Sequence, residues 1–590
     1  MKKIILFLVL SFFCTSCFLQ NSSADNELKV HGLFSDNMVL QRDVPINIWG
    51  WAKPGAKVSI KFDRKKYSAK ANDKGAWKAE MKPHGAGGPF EIYLNSGANR
   101  IIIHNVLVGD VFFAVGQSNM ESPVSACDHY EENLASADNY QQIRFVTIKN
   151  KPLDKIGKDI DGKWLVNSRT TVGFQSAVAY AFAKRIYDNV NVPIGIIHSS
   201  WGNTKIEYWM SKKSLAQFPE YKEVFENFSV PLQYWLVGSF ELPDILYSKD
   251  LKIKLGEGSI PKTVWFNGVK VGTDNPSSNI CSLNKNLLQG TNQINIRLRP
   301  SDSSTEKIQA YAESMSNSEI GVSIPSSFKI SQWQAMTQTE QEYPTVLFNS
   351  HIATVIPYDI KAVLWYQGEA NVDKPELYDD LFKALVSDWR ARFANEKLPF
   401  FSVQLAAYKE TTLKDNLAKF RLVQHQLTKE ILLHYMATAF DLGDADGDVH
   451  PKEKEEVGAR LSNLALKYLY GKKNDADNLE FKSFKKGKTA VDIFFAGSTN
   501  GLYQKNTEGP NGFEWVSKSG SIVPAKIKVE NNSIKVFHDG LLDSYKYLRY
   551  AWSDMPVTSI YNSNAVPLLP FKINLEDKMG KDNKKPKNPA

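Results

Sequence analysis

The stretch Val111-Phe112-Phe113-Ala114-Val115, followed directly by Gly116-Gln117-Ser118-Asn119-Met120, decides the fold class of this chain. Its first half is a short, wholly apolar run, which is typical of a strand buried on both faces of a sheet. The strand breaks at Gly116, so the hydroxyl of Ser118 is expected at the carboxyl end of that strand. By itself this is weak evidence for a nucleophile, because most serines in such a setting lie in solvated turns.

Further apolar runs alternate with amphipathic helices along the same part of the chain. The clearest helix is predicted over residues 375–395, where Leu377, Leu381 and Leu385 recur on one face. Strands that alternate with helices predict a parallel sheet covered by helices on both faces. In such α/β sheets the reactive residues collect past the carboxyl ends of the strands. The other predicted strands are 192–197, 362–365, 400–405 and 436–440, and the other predicted helices are 177–187 and 451–469.

Short strands with an alternating apolar and polar pattern flank and interrupt this α/β region. They predict an N-terminal β domain over residues 25–105, an inserted β-sandwich over 230–340 and a C-terminal β domain over 475–576. The α/β domain is thereby divided into residues 106–229 and 341–474. An insertion of this size costs little free energy when its two ends lie close together. At 590 residues the chain is long enough for several such domains.

The two ends of the chain differ from the rest. A basic start, Met1-Lys2-Lys3, is followed by an apolar run and then polar residues, which predicts an export signal over residues 1–24. The mature protein is therefore expected in the periplasm or as an outer-membrane lipoprotein. Cys17 offers a site for a lipid anchor, the alternative being simple cleavage near Ala24. Residues 577–590 are predicted to form a disordered basic tail, and the modest net charge of +8 argues against nucleic-acid binding.

Three further polar segments follow predicted parallel strands. The first is Ser199-Ser200-Trp201-Gly202-Asn203-Thr204-Lys205-Ile206-Glu207, where Gly202 would let backbone N–H groups approach a developing oxyanion. The second is Trp365-Tyr366-Gln367-Gly368-Glu369-Ala370-Asn371, whose amides and carboxylate need partners so close to a buried strand. Each of these segments could equally be a structural turn or a structural hydrogen-bond network.

The third segment is Asp441-Leu442-Gly443-Asp444, continued by Asp446-Gly447-Asp448-Val449-His450-Pro451. A histidine flanked by carboxylates can be oriented and kept basic by one of them. The alternate spacing of the acids also suggests a calcium loop ending at Glu455, but Val449 stands where that loop needs Gly. No other cluster has metal-ligand spacing, so no metal is expected. Together the segments supply a serine nucleophile, oxyanion donors and a histidine base.

These segments resemble those of the SGNH-hydrolase superfamily, and within it those of the sialate O-acetylesterase group of carbohydrate esterases. That group is marked by the blocks Gly-Gln-Ser-Asn-Met, Ser-Trp-Gly-Gly-Thr-x-Ile-Glu, Trp-Tyr-Gln-Gly-Glu-Ser-Asn and Asp-x-His-Pro. The sequence matches them at residues 116–120, 200–207, 365–371 and 448–451, within a similarity that spans about 106–215 and 345–470. The resemblance implies an SGNH-type sheet, with an insert of the galactose-binding type, in an enzyme that hydrolyses O-acetyl esters of sialic acids without a cofactor.

By this resemblance Ser118 attacks the acetyl carbonyl and His450 takes its proton. The backbone N–H groups of Ser118 and Gly202, with the side chain of Gln367 or Asn371, would bind the oxyanion. Asp448 would orient His450, although Glu369 or Asp446 could take that role. Asn203 and Ala370 replace the usual Gly and Ser of the group. Asn is the best replacement for Gly if position 203 requires a positive φ.

Two other functions fit the same segments. One is an esterase for acetylated plant polysaccharide of the acetylxylan type, which would share the fold and differ only in its pocket. The other is a carbohydrate-binding protein with an inactive hydrolase core, and the presence of both Ser118 and His450 argues against it. An O-acetylated sugar or glycan is the expected partner in every case. Cys127 and Cys281 are expected to be unpaired, because they fall in different predicted domains.

Overall fold

A computed structural model describes residues 27–577 with several short gaps. The predicted export signal, the lipid-anchor site at Cys17 and the basic tail from residue 578 onward lie outside the described residues. In the described part of the chain, no helix is long and apolar enough to cross a membrane. The gaps are residues 227–231, 258–259, 261, 268, 273–278, 290, 299–304, 324–325, 327, 331–332, 340–341, 410–414, 498–500 and 506.

The N-terminal region is all-β and shares its last strand with the α/β domain. That strand, β8, runs unbroken from Asn99 to Gly116, across the predicted boundary at residue 105. Its first part is only partly buried and pairs with β7, whereas everything from Val106 onward is fully buried. The burial changes because β8 begins in a sheet that has one face in solvent and continues into a sheet that is covered on both faces. The strands are β1 Lys29–Val30, β2 Val39–Gln41, β3 Ile46–Trp51, β4 Lys57–Phe62, β5 Lys65–Lys70, β6 Ala76–Met81, β7 Gly87–Ser96 and β8 Asn99–Gly116.

The first part of the α/β domain follows β8 without a linker. Helix α3 begins at Ala177, where the Ser176 hydroxyl caps it by accepting a hydrogen bond from the Ala179 N–H. The elements are helices α1 Ser118–Glu121, α2 Tyr130–Ser136, α3 Ala177–Val190, α4 Lys212–Leu215 and α5 Pro219–Glu226, with strands β9 Ile143–Thr147, β10 Leu165–Val166 and β11 Ile194–Ser200.

The inserted region contains two antiparallel sheets that enclose their own core, which includes Leu236, Ile253, Val264 and Ile296. The chain enters by β12 and leaves by β19, and these strands pair with Leu232 opposite Thr339. The two ends of the insert are therefore adjacent, as a low-cost insertion requires. The helix α6 was not expected in this region, because the sequence predicted a β-sandwich over residues 230–340. The elements are β12 Leu232–Phe240, β13 Leu251–Lys254, β14 Thr263–Phe266, β15 Val269–Gly272, β16 Ile280–Leu283, β17 Asn292–Leu298, α6 Thr305–Ser314, β18 Glu319–Gly321 and β19 Trp333–Thr339.

The second part of the α/β domain completes the central sheet. Its elements are β20 Ala362–Tyr366, α7 Pro375–Arg392, β21 Phe400–Gln404, α8 Asn416–Glu430, β22 His434–Thr438 and α9 Glu455–Tyr470. The strand order is β10-β9-β11-β8-β20-β21-β22, and all neighbours are parallel except β10 and β9. The predicted parallel sheet is therefore present, with β8 at its middle. Helix α9 begins at Glu455 and not at the predicted residue 451, because the backbone N–H of Lys452 is held by the Asp444 carboxylate.

The C-terminal region is again all-β, and α8 attaches it to the α/β domain. The buried guanidinium of Arg421 donates to the carbonyls of Ser553 and Asp554. Cys127 and Cys281 are both free thiols, in agreement with the sequence. The strands are β23 Glu480–Lys486, β24 Ala490–Ala496, β25 Leu502–Gln504, β26 Phe513–Ser517, β27 Ile522–Pro524, β28 Lys526–Glu530, β29 Ser533–Phe537, β30 Tyr545–Tyr550, β31 Ile560–Asn562 and β32 Phe571–Asn574.

Candidate active site

Ser118 is the first residue of α1 and lies directly past the carboxyl end of β8, in the middle of the sheet. Its backbone N–H, like that of any first helical residue, has no acceptor within the helix. Gly116 lets β8 approach β20 closely, because a Cβ there would lie 2.0 Å from the carbonyl oxygen of Tyr366 on β20. The close approach of these two strands brings the segment around Ser118 beside the segment after β20.

Gly202 lies beside Ser118. A Cβ built on Gly202 would lie 3.5 Å from the Cβ of Ser118. The N–H of Gly202 donates to Oε2 of Glu121 at 2.8 Å, so the predicted oxyanion donor is engaged by a carboxylate of α1. Burial raises the pKa of Glu121, although the hydrogen bond from Gly202 acts in the opposite direction.

Asn203 has a φ of 56°, in the left-handed region. The position thus requires the conformation that glycine adopts at no cost, and asparagine is the side chain that tolerates it best. The next residue stabilises the same turn, because the hydroxyl of Thr204 donates to the carbonyl of Trp201 at 2.7 Å. The replacement of Gly by Asn therefore fits the local backbone.

Gln367 and Asn371 are committed to a scaffold. Nε2 of Gln367 donates to the carbonyl of Thr204 and to Oδ1 of Asn371. Nδ2 of Asn371 donates to Oε2 of Glu207 at 3.0 Å, and its Oδ1 also accepts from the N–H of Ile206. Among the described residues, neither side-chain amide is bonded to the segment around Ser118. The two amides instead tie the loop after β20 to the loop after β11.

His450 is about half exposed and has a carboxylate beside it. Its Nδ1 lies 3.5 Å from Oδ1 of Asp448, and its backbone N–H donates to the same oxygen at 2.8 Å. Asp446 instead accepts from the N–H of Asp448, and within the described residues no hydrogen bond joins the His450 ring to the Ser118 hydroxyl. Catalytic hydrogen bonds are often long or poorly aligned in a free enzyme and tighten only when substrate binds.

Glu369 lies behind the nucleophile turn and not beside the histidine ring. Its Oε1 accepts from Nδ2 of Asn119 at 2.6 Å, and its buried Oε2 has no hydrogen-bond partner among the described residues. Burial raises the pKa of Glu369. Asp448 is consequently the acid in contact with His450, and Glu369 contacts the residue next to Ser118.

Three residues at the site were given no role by the sequence. Asn119 and Lys454 link the nucleophile turn to the histidine loop, and Glu121 occupies the Gly202 N–H. Asn119 and Lys454 lie in segments that resemble the esterase family, so the sequence pointed to these two positions. It could not show that the two side chains contact each other. Glu121 follows Ser118 by three residues, which places it on the same short helix.

The acidic loop contains no metal cage. Oε2 of Glu455 accepts from Nδ2 of Asn133 at 2.9 Å, and the Asp441 carboxylate pairs with Arg460. Asp444 and Asp446 accept backbone N–H groups of the loop itself. No group of three or more His, Cys, Asp or Glu side chains that could hold a metal ion occurs in residues 27–577 outside the gaps.

The sequence family, together with the α/β fold, identifies the class of this protein as a carbohydrate esterase. The crystal structure of a carbohydrate acetylesterase from Xanthomonas citri has the same fold, with a TM-score of 0.69 and 24% identity over 93% of this chain and 99% of that chain. The chain belongs to the family described as "carbohydrate esterase, sialic acid-specific acetylesterase", whose sequence model matches residues 108–238 and 299–467. The unmatched residues between those two segments fall within the insert.

Curated relatives agree with this family. The sialate O-acetylesterase of Homo sapiens is 24% identical, with 91% of this chain and 91% of that protein covered. The sialate O-acetylesterase of Mus musculus is 26% identical, with 75% of this chain and 73% of that protein covered. The chain is therefore an ester hydrolase that acts on acetylated carbohydrate.

Proposed function

We propose that this chain is an exported esterase that removes O-acetyl groups from sialic acids through an acetyl-enzyme on Ser118. The observation that supports the catalytic assignment is the meeting of three loops at the middle of the sheet. Ser118 follows β8, Gly202 adjoins it from β11, and Asn119 donates to Val449, the residue before His450. The sialic acid specificity is supported by the family and by the names of the curated relatives.

In the proposed reaction His450 accepts the proton of the Ser118 hydroxyl while Oγ attacks the acetyl carbonyl carbon. The Gly202 and Ser118 N–H groups stabilise the resulting oxyanion. His450 then gives the proton to the departing sugar oxygen, which leaves the acetyl group on Ser118. Water, deprotonated by His450, attacks the carbonyl carbon of this ester. The bond to Oγ then breaks, His450 returns the proton to Oγ, and acetate is released. Asp448 orients the ring and stabilises its charged form.

Acetate release from two substrates by residues 25–590 tests this proposal. We expect release from 9-O-acetylated sialic acid, and we expect Ser118→Ala and His450→Ala to abolish it. Release from acetylated xylan alone would retain the mechanism and exchange the substrate for a plant polysaccharide. Release by folded Ser118→Ala at the rate of the unaltered enzyme would remove Ser118 from the mechanism.

Export is proposed from the basic and apolar start of the sequence. Expression of the full chain in a Gram-negative host, followed by fractionation, separates the alternatives. A lipoprotein is expected in the membrane fraction, and Cys17→Ala would move it to the soluble periplasm. Recovery of the full chain with an intact Met1 in the cytoplasm would contradict export.

A further inference from the structure

Asn119, the residue after the proposed nucleophile, is buried and uses both ends of its amide. Its Nδ2 donates to Oε1 of Glu369 at 2.6 Å and to the carbonyl of Val449 at 2.9 Å. Its Oδ1 accepts from Nζ of Lys454 at 2.9 Å. One side chain therefore joins the loops that follow β8, β20 and β22.

Lys454 extends this contact to the other side of the histidine. Its Nζ is buried and donates to the carbonyl of Pro451 as well as to Asn119. Val449 and Pro451 are the two neighbours of His450, so the backbone is held on both sides of that residue. We call this pair of side chains the Asn119–Lys454 bridge.

The histidine ring has few other contacts. It is 47% exposed, and Asp448, its partner at 3.5 Å, is 54% exposed. A contact this open to solvent can orient the ring but does not by itself fix where the ring lies, because water competes for both partners. The place of the ring relative to Ser118 therefore depends mainly on its backbone, which the bridge fixes to the nucleophile turn.

A buried ammonium is costly unless hydrogen bonds and opposite charges compensate it. Burial lowers the pKa of Lys454, whereas Glu369, Cys127, Asp444 and Asp448 act in the opposite direction. Within the part of the chain that the structure describes, Oε2 of Glu369 is buried without a hydrogen-bond partner, and the Lys454 ammonium favours the charged form of this carboxyl against the effect of burial.

From this geometry we propose that Lys454 is a positioning residue, which acts through Asn119 and Pro451 to set the separation between Ser118 and His450. The proposal rests on the proposed function, in which these two residues are nucleophile and base. The described hydrogen bonds of the Lys454 ammonium go to Asn119 and Pro451, and none of them goes to the side chain of Ser118 or His450. Its removal should reduce the rate of the chemical step and leave substrate binding unchanged.

The test compares kcat and KM of Lys454→Met, Lys454→Arg and Asn119→Ala on 4-nitrophenyl acetate and on the acetylated sugar. We expect Lys454→Met to lower kcat by roughly 100-fold with KM within about threefold, since a displacement near 1 Å costs on that order. Lys454→Arg, which keeps a cation and its donors, should retain about ten times more of kcat than Lys454→Met. The double variant Asn119→Ala/Lys454→Met should have a kcat no lower than that of the slower single variant, because both substitutions break the same Asn119–Lys454 bridge.

Arg421→Met is the matched control. Arg421 is a buried cation that also donates to backbone carbonyls, but those belong to Leu405, Ala406 and the C-terminal region. It should lower the melting temperature and leave kcat within about twofold. A similar loss of kcat in both methionine variants, or a folded Lys454→Met with unchanged kcat, would overturn the proposal. The Ser118→Ala result is independent of this comparison, so failure of the nucleophile assignment remains distinguishable.

Discussion

At the scale of single residues, the two acids near the site occupy different surroundings. Asp448 lies in solvent beside the ring of His450, and Glu369 is buried against Asn119. A carboxylate keeps the imidazole oriented and stabilises its protonated form only when it lies next to the ring. The contact with His450 therefore favours Asp448 as the orienting acid.

We expect Asp448→Asn to lower kcat more than Glu369→Gln does. The asparagine removes the charge next to the ring, whereas the glutamine can still accept the hydrogen bond from Asn119. Because Asp448 is half exposed, its loss should cost about 10- to 100-fold, well below that of a buried triad acid. Steady-state kinetics at constant pH measure the ranking, and the reverse order would assign the role to Glu369.

Asn203 offers a second test at this scale. Asn203→Gly should leave stability and activity nearly unchanged, because glycine adopts the observed φ of 56° without strain. Asn203→Ala should lower the free energy of unfolding by about 1 kcal/mol, since alanine pays for a left-handed backbone. Thermal melts of the two variants provide the comparison, and equal stability of both would contradict a conformational requirement at this position.

At the scale of elements, α3 and α9 pack unusually closely at Gly458. A Cβ on Gly458 would lie 2.6 Å from the Cβ of Ala181 and 2.7 Å from the carbonyl of Val178. Helix propensity alone favours alanine over glycine by about 1 kcal/mol. We expect the steric conflict to dominate, so that Gly458→Ala lowers the melting temperature and Gly458→Ser lowers it further. A higher melting temperature for Gly458→Ala would show that the two helices can separate.

The sequence predicted strands well where the strand keeps one buried face and one exposed face along its whole length. The strands Ile46–Trp51, Lys57–Phe62 and Ala76–Met81 show the alternation expected of the N-terminal β domain, because one face of each is buried and the other faces solvent. It failed for β8, where a strand passes from a sheet with one wet face into a sheet with none and the pattern changes midway. It also placed the start of α9 too early, because the Asp444 carboxylate binds the backbone N–H of Lys452 and the helix begins only at Glu455.

At the scale of the whole molecule, several histidines are buried and remote from solvent. Burial lowers the pKa of His31, His198 and His434 to about 4 and that of His351 to about 3. In the unfolded chain these imidazoles have the ordinary histidine pKa of 6.5 and take up protons below that pH. In the folded protein they stay neutral over the same range. The stability is therefore complete above pH 6.5 and decreases as the pH falls toward 4.

We expect the melting temperature to fall steadily between about pH 6.5 and about pH 4.5, with each buried histidine costing about 2 kcal/mol near pH 5. His351→Asn should flatten this profile relative to the unaltered protein. The exposed His104 serves as the control, and His104→Asn should leave the slope unchanged. A melting temperature independent of pH over this range would contradict the assignment of neutral buried imidazoles.

The candidate site was predictable as a set of segments but not as a set of contacts. The parallel sheet accounts for the meeting of the loops that carry Ser118, Gly202 and His450. The spacing of residues could not show that Gln367 and Asn371 tie the loop after β20 to the loop after β11. The donor and the acceptor of each of these hydrogen bonds lie far apart in the sequence. Nor could it show that Glu121 occupies the N–H of Gly202.

Because the Gly202 N–H is bonded to Glu121, an oxyanion can accept this hydrogen bond only by displacing the Glu121 carboxylate. A neutral acetyl carbonyl accepts hydrogen bonds less strongly than a carboxylate does, so bound substrate gains little by displacing Glu121 from Gly202. An oxyanion carries a full charge and competes with the carboxylate on equal terms. With Gly202 as the proposed donor, its N–H is bonded to the carboxylate in the ground state and to the oxyanion only as the tetrahedral species forms, so its contribution to kcat is the difference between the two hydrogen bonds and not the full strength of one.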